Sequence, residues 1–178
     1  MRLSDNAKEW IKDIAVAIIV AVLVLQFVMP TIVCEHSMES TLQNRDYLFV
    51  SKQAYKLFGE PERGDIIVFK SELTLENGSN KLLIKRIIGL PGDTISVADG
   101  KVFRNGEALD EPYTKDGYTE GFMAEVTVPE GALFCLGDNR QNSADSRDSR
   151  IGFVDMSTVK GKAVFRLFPF SSIGGLYK

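Results

Sequence analysis

Residues 81–93 read KLLIKRIIGLPGD, and they indicate a buried β-strand that ends in a turn. The first eight positions are rich in leucine and isoleucine, and residues 90–93 carry the proline and glycine that are typical of a turn. Lys85 and Arg86 interrupt the apolar run. Because neighbouring residues of a strand point to opposite faces, one solvent-exposed face explains at most one of these charges. By this alternation one face carries Leu83, Lys85 and Ile87, and the other carries Ile84, Arg86 and Ile88.

Similar short apolar runs on both sides of this stretch predict a mostly-β protein. They lie at residues 47–50, 65–69, 132–136 and 162–167. Two polar stretches between them are expected to be loops: residues 71–80, which contain Asn77-Gly78, and residues 137–152.

Residues 95–128 predict a smaller unit of β-hairpins. Asp99-Gly100 and Asn105-Gly106 separate short β-rich runs, and both dipeptides favour the tight turns of hairpins. We therefore expect one β domain, formed by residues 31–94 and 129–178, with a small β-hairpin insertion at 95–128.

An apolar run near the N-terminus predicts a membrane anchor. Residues 14–29 contain Gln26 as their only polar side chain. As a helix this run would extend about 24 Å, a little less than the ~30 Å hydrocarbon core of a bilayer, and Trp10 could extend it into the interface. Residues 1–30 are therefore expected to form the N-terminal segment and anchor, with the span at about residues 14–29.

Three other interpretations of the run fit less well. A cleaved signal peptide ends at small residues, and residues 30–35 offer no such pair. Lipidation of Cys34 would favour a small residue before the cysteine, where the chain has Val33. A buried core helix of a soluble protein would have a polar face, which this run lacks.

The distribution of basic residues predicts the orientation of the anchor. Arg2, Lys8 and Lys12 precede the span, and Arg45 and Lys52 are the first basic residues after it. An excess of Lys and Arg marks the cytoplasmic side, so we expect a cytoplasmic N-terminus and a β domain on the extracytoplasmic side of the cell membrane.

The overall composition excludes several classes of function. A net charge of −3 and a pI near 5.3 argue against a nucleic-acid partner, which would call for a basic face. Two cysteines cannot form a disulfide framework, and a single histidine makes a zinc site improbable.

Hydrolase chemistry requires a nucleophile and a base. The only histidine, His36, is adjacent to Ser37, and neighbours in an extended segment point to opposite faces, which disfavours a Ser-His-Asp triad. Lysine can serve as the base when burial keeps it neutral. On the residues alone, Lys85 fits this role or that of a lysine on an edge strand whose ammonium reaches solvent.

Four motifs resemble those of type I signal peptidases, in particular the short Gram-positive-like members. HSMESTL at 36–42 resembles the nucleophile motif S-M-x-P-T-L, and residues 85–93 resemble the lysine motif of that family. RGDIIVF at 63–69 and GDNRQNSADSR at 137–147 resemble two further motifs. Their order and spacing agree, so the resemblance covers nearly the whole chain.

The resemblance implies a membrane-bound serine endopeptidase that uses a Ser-Lys dyad. Ser37 would attack the scissile carbonyl, with its backbone N–H as one oxyanion donor, and Lys85 would be the general base. Ser143 would hydrogen-bond and orient the lysine amine. Asp145 and Arg147 would brace the site through an ion pair.

Further residues follow from the same resemblance. Asp138 and Asn139, after Gly137, would shape the turn that brings their loop against Lys85. The candidates for shallow apolar pockets in the substrate cleft are Met38, Leu83 and Ile84.

The implied substrates are preproteins that carry signal peptides, bound as an added strand and cut after small residues in an A-x-A-like pattern. The lipid bilayer would be the other partner; no metal or organic cofactor, no nucleic acid and no second copy of the chain is expected. Residues 167–170 (LFPF) would dip into the membrane interface or end a core strand.

Two positions depart from the family pattern. Ser40 replaces the proline of the nucleophile motif, and Glu35 lies where Gram-negative members have a hydroxyl that faces the oxyanion. An ionised Glu35 there would repel developing negative charge. The alternatives are therefore an inactive membrane-tethered relative and a self-cleaving Ser/Lys regulator, although the latter would need a DNA-binding segment at the N-terminus.

Overall fold

The structure, a computed structural model, describes residues 5–57 and 59–177, so Arg2 lies outside the described part. In these described residues a long helix precedes twelve strands, one short α-helix and three short 3-10 helices. The helices are α1 (Asp5–Phe27) and α2 (Ala54–Leu57), and the strands are β1 (Val28–Ile32), β2 (Tyr47–Ser51), β3 (Ile66–Thr74), β4 (Asn80–Gly89), β5 (Thr94–Ala98), β6 (Lys101–Arg104), β7 (Glu107–Ala108), β8 (Met123–Thr127), β9 (Ala132–Leu136), β10 (Val154–Asp155), β11 (Val159–Phe168) and β12 (Gly174–Gly175). The prediction of a mostly-β fold after an apolar helix is confirmed.

Helix α1 is long and apolar enough to cross a membrane over Asn6–Phe27, and none of it is buried against the rest of the protein. The helix ends at Phe27, two residues before the end of the predicted span, and the limits of that span in a membrane stay a prediction. Val28 and Met29 instead pair with β2. Strand β1 is the edge of its sheet, where Pro30, which lacks a backbone N–H, is tolerated.

The main sheet has eight antiparallel strands in the order β1-β2-β11-β3-β4-β9-β10, with β12 paired to β11. Both of its faces are buried, because alternate residues of β3 enter different hydrophobic clusters: Ile66 and Val68 enter one, Ile67 and Phe69 the other. The alternation predicted for β4 is also observed. Leu83 and Ile87 lie in the second cluster, Ile84 packs against the first, and Ile88 belongs to a third.

The predicted hairpins form a four-stranded sheet in the order β7-β6-β5-β8. Its turns have the positive φ angles that the sequence pattern favours, with values of 51° and 75° at Asp99 and Gly100. Ile95, Val97 and Val102 pack against main-sheet residues in the third cluster. The small sheet is thereby held against the main sheet by an apolar interface.

The prediction of a loop at residues 71–80 was wrong, because β3 continues to Thr74 and β4 begins at Asn80. Polar side chains support this extension: Ser71 Oγ donates to the carbonyl of Lys81 over 2.9 Å, and the Asn80 amide donates to the carbonyl of Ser71 over 2.9 Å. Only residues 75–79 form the turn. The prediction relied on polarity, but these hydroxyl and amide groups form hydrogen bonds to backbone carbonyls of the paired strands and do not interrupt them.

Candidate active site

Ser37 lies in the irregular segment between β1 and β2, residues 33–46, which we call the nucleophile segment. Its two ends are joined by backbone hydrogen bonds between Val33 and Asp46 and between Arg45 and Val33. Val33, Met38 and Leu42 are buried in the first hydrophobic cluster and hold the segment against the sheet. This packing keeps Ser37 only 8% exposed.

Lys85 lies in β4, is 1% exposed, and faces Ser37. Its Nζ donates to Ser37 Oγ over 2.7 Å and to the carbonyl of Ile84 over 3.0 Å. Burial lowers the pKa of Lys85 to about 8, against the opposing effect of the negative charge of Asp145. The amine can therefore lose its proton under mildly alkaline conditions while it remains hydrogen-bonded to the serine.

His36 points away from this pair, as predicted. Its side chain is 55% exposed, and Nδ1 lies 2.5 Å from the carboxylate of Glu39. The backbone N–H of Ser37, by contrast, donates to no acceptor among the described residues. No described group of the protein therefore competes for this donor.

The polar loop, residues 137–152, holds the nucleophile segment from the other side. The backbone N–H of Asn139 donates to the carbonyl of Ser37 over 3.0 Å, and its side-chain amide donates to the carbonyl of His36 over 2.9 Å. Gly137 allows this close approach: a Cβ there would lie 2.5 Å from the Ser37 carbonyl oxygen and 2.7 Å from Ser143 Cβ. Both contacts are too short for any other residue type.

Asp138 links the loop to the strand that carries Lys85. Arg86, on the opposite face of β4, donates to both oxygens of the Asp138 carboxylate, with Nε–Oδ1 at 2.9 Å and Nη2–Oδ2 at 2.7 Å. Thr41 of the nucleophile segment also donates to this carboxylate. The charged Arg86 in an apolar strand is therefore explained by a buried partner rather than by solvent.

Asp145 and Arg147 form the ion pair that the motif suggested, with Nη2–Oδ2 at 2.8 Å. The Asp145 carboxylate also accepts a hydrogen bond from the backbone N–H of Gly137 over 3.0 Å. The expected hydrogen bond from Ser143 to Lys85 is absent among the described residues, because the buried Ser143 Oγ has no hydrogen-bond partner. Ser143 instead packs against Gly137, and the backbone carbonyl of Ile84 receives the second hydrogen bond of the lysine.

The predicted apolar pocket residues are mostly inside the protein. Met38 and Leu83 are 1% and 3% exposed and belong to hydrophobic clusters, so little of either side chain reaches the surface, and their role as pocket residues stays a prediction. Only Ile84 is partly exposed. Both faces of this sheet are covered by other parts of the protein. The alternation of residues in the sequence therefore cannot tell a side chain packed in the core from one that lines a cleft.

Sequence reasoning missed a contribution of residues 111–119, in the connection between β7 and β8, which we call the strap. Glu111 forms a buried ion pair with Arg140 of the polar loop at 2.7 Å. The carbonyl of Tyr113 accepts a hydrogen bond from Ser40 Oγ over 2.9 Å, and Lys115 donates to Glu39 over 2.8 Å. Ser40 replaces the proline of the motif, and its hydroxyl provides an alternative restraint. No local pattern could have paired positions so far apart.

Glu35, the other departure from the motif, forms an ion pair with Lys81. Lys81 lies on β4, four residues before Lys85, and by alternation on the same face. The carboxylate two residues before the nucleophile is thus paired with an ammonium.

The site has the parts of a serine hydrolase: a nucleophile, a hydrogen-bonded base of lowered pKa and an unoccupied backbone donor beside them. Comparisons with known proteins agree with this chemistry. A family model described as "Signal peptidase, peptidase S26" matches residues 7–168.

Relatives from other organisms match over nearly their whole length. The chain is 38% identical over 175 residues to "Signal peptidase I" of Bacillus licheniformis, which covers 93% of this chain and 90% of the relative. It is 41% identical over 173 residues to "Probable signal peptidase I-1" of Synechocystis sp., which covers 95% of this chain and 86% of the relative. A crystal structure of a signal peptidase I from Enterococcus faecalis is 35% identical, with a TM-score of 0.47 over 58% of this chain and 96% of that one.

Proposed function

The chain belongs to the signal peptidase family, peptidase S26, and is a signal peptidase I that removes signal peptides; from this premise we propose that Ser37 is its nucleophile and Lys85 its general base. The observation that carries the proposal is the 2.7 Å hydrogen bond between Lys85 Nζ and Ser37 Oγ in a buried site. Burial of the ammonium supplies the lowered pKa that a base needs.

The reaction proceeds in two halves. Neutral Lys85 takes the proton of Ser37 Oγ as the oxygen bonds to the scissile carbonyl carbon, and the resulting ammonium then protonates the leaving amine as the C–N bond breaks. The acyl group remains on Ser37 as an ester. A water molecule next gives its proton to Lys85 and attacks the ester carbonyl, which releases the signal peptide and returns the proton to Ser37.

The oxyanion of each tetrahedral intermediate would accept a hydrogen bond from the backbone N–H of Ser37. Hydrogen-bond donors that already point to the position of the developing negative charge typically supply a large share of the rate enhancement in acyl transfer. The hydrogen bond from Asn139 to the Ser37 carbonyl supports this role, because it fixes the adjacent peptide.

The preprotein substrate would bind as an added strand beside Lys85. Strand β4 pairs with β3 between Asn80 and Arg86, but its pairing with β9 begins only at Arg86. Within the described residues, the edge of residues 82–84 on the β9 side is therefore unpaired and can accept an extended peptide. Cleavage after small residues stays the expectation that follows from the resemblance of the motifs.

The apolar helix α1 would anchor the protein in the membrane with the N-terminus in the cytoplasm and the β domain on the extracytoplasmic side. The bias of Lys and Arg across the span supports this orientation. Residues 167–170 support contact with the bilayer rather than a core strand end, because Phe168 and Phe170 are 43% and 73% exposed. Tyr47 packs against the ring of Phe168, so the aromatic surface is continuous.

Cleavage of a purified preprotein in detergent by the full-length protein and by Ser37→Ala tests the proposal. We expect one cut after the signal peptide with the unaltered protein and none with the variant. Residual cleavage by Ser37→Ala would exclude Ser37 as the nucleophile. If the unaltered protein neither cleaves nor reacts with a serine-directed probe, the chain is an inactive member of its family.

A further inference from the structure

The ion pair between Glu35 and Lys81 lies beside the dyad and contributes to none of the steps above. Glu35 precedes Ser37 by two residues, and Lys81 precedes Lys85 by four. The side chains are 43% and 32% exposed, so the pair lies at the protein surface rather than in the core. The two opposite charges are near enough to Lys85 to act on its amine.

Both charges act on the catalytic amine. The charge of Glu35 favours the protonated form of Lys85, and the charge of Lys81 opposes it. The other groups that face Lys85 are Asp145 from the polar loop and the buried thiol of Cys135 from β9. Asp145 is already engaged by Arg147 and by the N–H of Gly137, whereas the Glu35 carboxylate has Lys81 as its partner.

An unpaired carboxylate at Glu35 would hinder the reaction in two ways. It would repel the oxyanion that forms at Ser37, and it would stabilise the ammonium form of Lys85, which cannot act as a base. An ammonium in contact with the carboxylate offsets both effects, because the two charges together act on their surroundings as a dipole.

We propose that Lys81 is a positioning residue of this active site, which acts by holding the Glu35 carboxylate so that its charge does not oppose the chemistry at Ser37. The proposal rests on the Ser37–Lys85 dyad. It assigns to Lys81 a role that the family motifs do not contain, and it explains how the chain tolerates a glutamate at this position.

The test compares four full-length proteins in detergent: unaltered, Lys81→Gln, Glu35→Gln and the double variant. We expect Lys81→Gln to lower kcat by about three- to tenfold with little change in KM, since partly exposed charges interact weakly and repulsion acts on the transition state. In the Glu35→Gln background the same Lys81→Gln change should alter kcat by less than about twofold, because the charge on which Lys81 acts is gone.

The pH dependence of kcat/KM gives a second readout that loss of a surface contact would not produce. The rising limb should move to higher pH in Lys81→Gln, to lower pH in Glu35→Gln, and back toward the unaltered position in the double variant. Lys81→Arg should leave both kcat and the pH of the rising limb unchanged, because arginine preserves the positive charge. Lys101→Gln, which removes an exposed lysine of the small sheet, is the matched control and should change neither.

The proposal is overturned if Lys81→Gln lowers kcat equally with and without Glu35, or if the limb does not move in either single variant. Thermal unfolding of each variant excludes a general loss of structure as the cause. A wrong assignment of the Ser37–Lys85 dyad would give a different result, namely cleavage by Ser37→Ala. That variant is measured without altering Glu35 or Lys81.

Discussion

Arg86 and Asp138 form an ion pair whose side chains are 7% and 0% exposed, on the face of β4 opposite Lys85. Removal of one partner of such a pair leaves an uncompensated buried charge. We expect Asp138→Asn to lower the free energy of unfolding by about 3–5 kcal/mol, measured by urea denaturation.

The ion pair of Asp148 and Arg150 provides the control, because it lies in the same polar loop and Arg150 is exposed. Asp148→Asn should leave the denaturation midpoint unchanged, since exposed pairs contribute little. Equal effects of the two substitutions would show that the Arg86–Asp138 pair is not a structural brace.

The dyad predicts a specific pattern of inactivation. Lys85→Ala and Ser37→Ala should each abolish preprotein cleavage, and the double variant should be no worse than either, because the two residues act as a unit. His36→Ala should remain active, since its side chain points into solvent and contacts Glu39. An inactive, folded His36→Ala protein together with an active Lys85→Ala protein would refute the mechanism.

The pH dependence follows from the lowered pKa of Lys85. Below about pH 8 the amine is protonated and cannot accept the serine proton, so kcat/KM should rise with pH through this value and then level off. The profile is measured with a short peptide substrate in detergent. A rising limb that disappears in His36→Ala would assign the titration to the histidine instead.

The same shift affects stability. Because the pKa of Lys85 falls from 10.5 to about 8 on folding, the unfolded chain binds more protons between these pH values, and stability gained from this group rises with pH across that window. Below pH 8 the full cost of burying the ammonium is present, roughly 3 kcal/mol for a shift of this size.

Lys85→Met removes this cost, so the variant should be more stable than the unaltered protein at pH 7, and its advantage should shrink from pH 8 toward pH 10.5. Urea denaturation of both proteins at several pH values measures the difference. A difference that stays constant across the whole range would mean that Lys85 titrates alike in the folded and unfolded chains.

The strands and hairpins were predictable because their signals are local. The Asp99-Gly100 turn and the apolar run of β4 each carry their own pattern, and both were found where expected. Helix α1 ends two residues before the end of the predicted span. Val28 and Met29 pair instead with β2, a strand further along the chain that local hydropathy does not reveal.

The candidate site was only partly predictable. The motifs pointed to Ser37 and Lys85, and the structure brings these two side chains into contact. The predicted hydrogen bond from Ser143 to Lys85 is not formed among the described residues. The contacts of Ser40 with Tyr113 and of Glu111 with Arg140, both of which involve the strap, were not predicted. Hydrogen bonds between distant segments depend on the assembled packing, and neither spacing nor residue type reveals them.

The polar loop also has a consequence for the protein during its own synthesis. A growing chain that has been translated only as far as Lys85 contains both members of the dyad but lacks Gly137, Asp138 and Asn139, which hold the nucleophile segment in place. At ~5–20 residues per second, the ribosome needs roughly 3–10 s more to reach them. Until the polar loop has been synthesised, the dyad therefore lacks the hydrogen bonds that hold the nucleophile segment in its folded position.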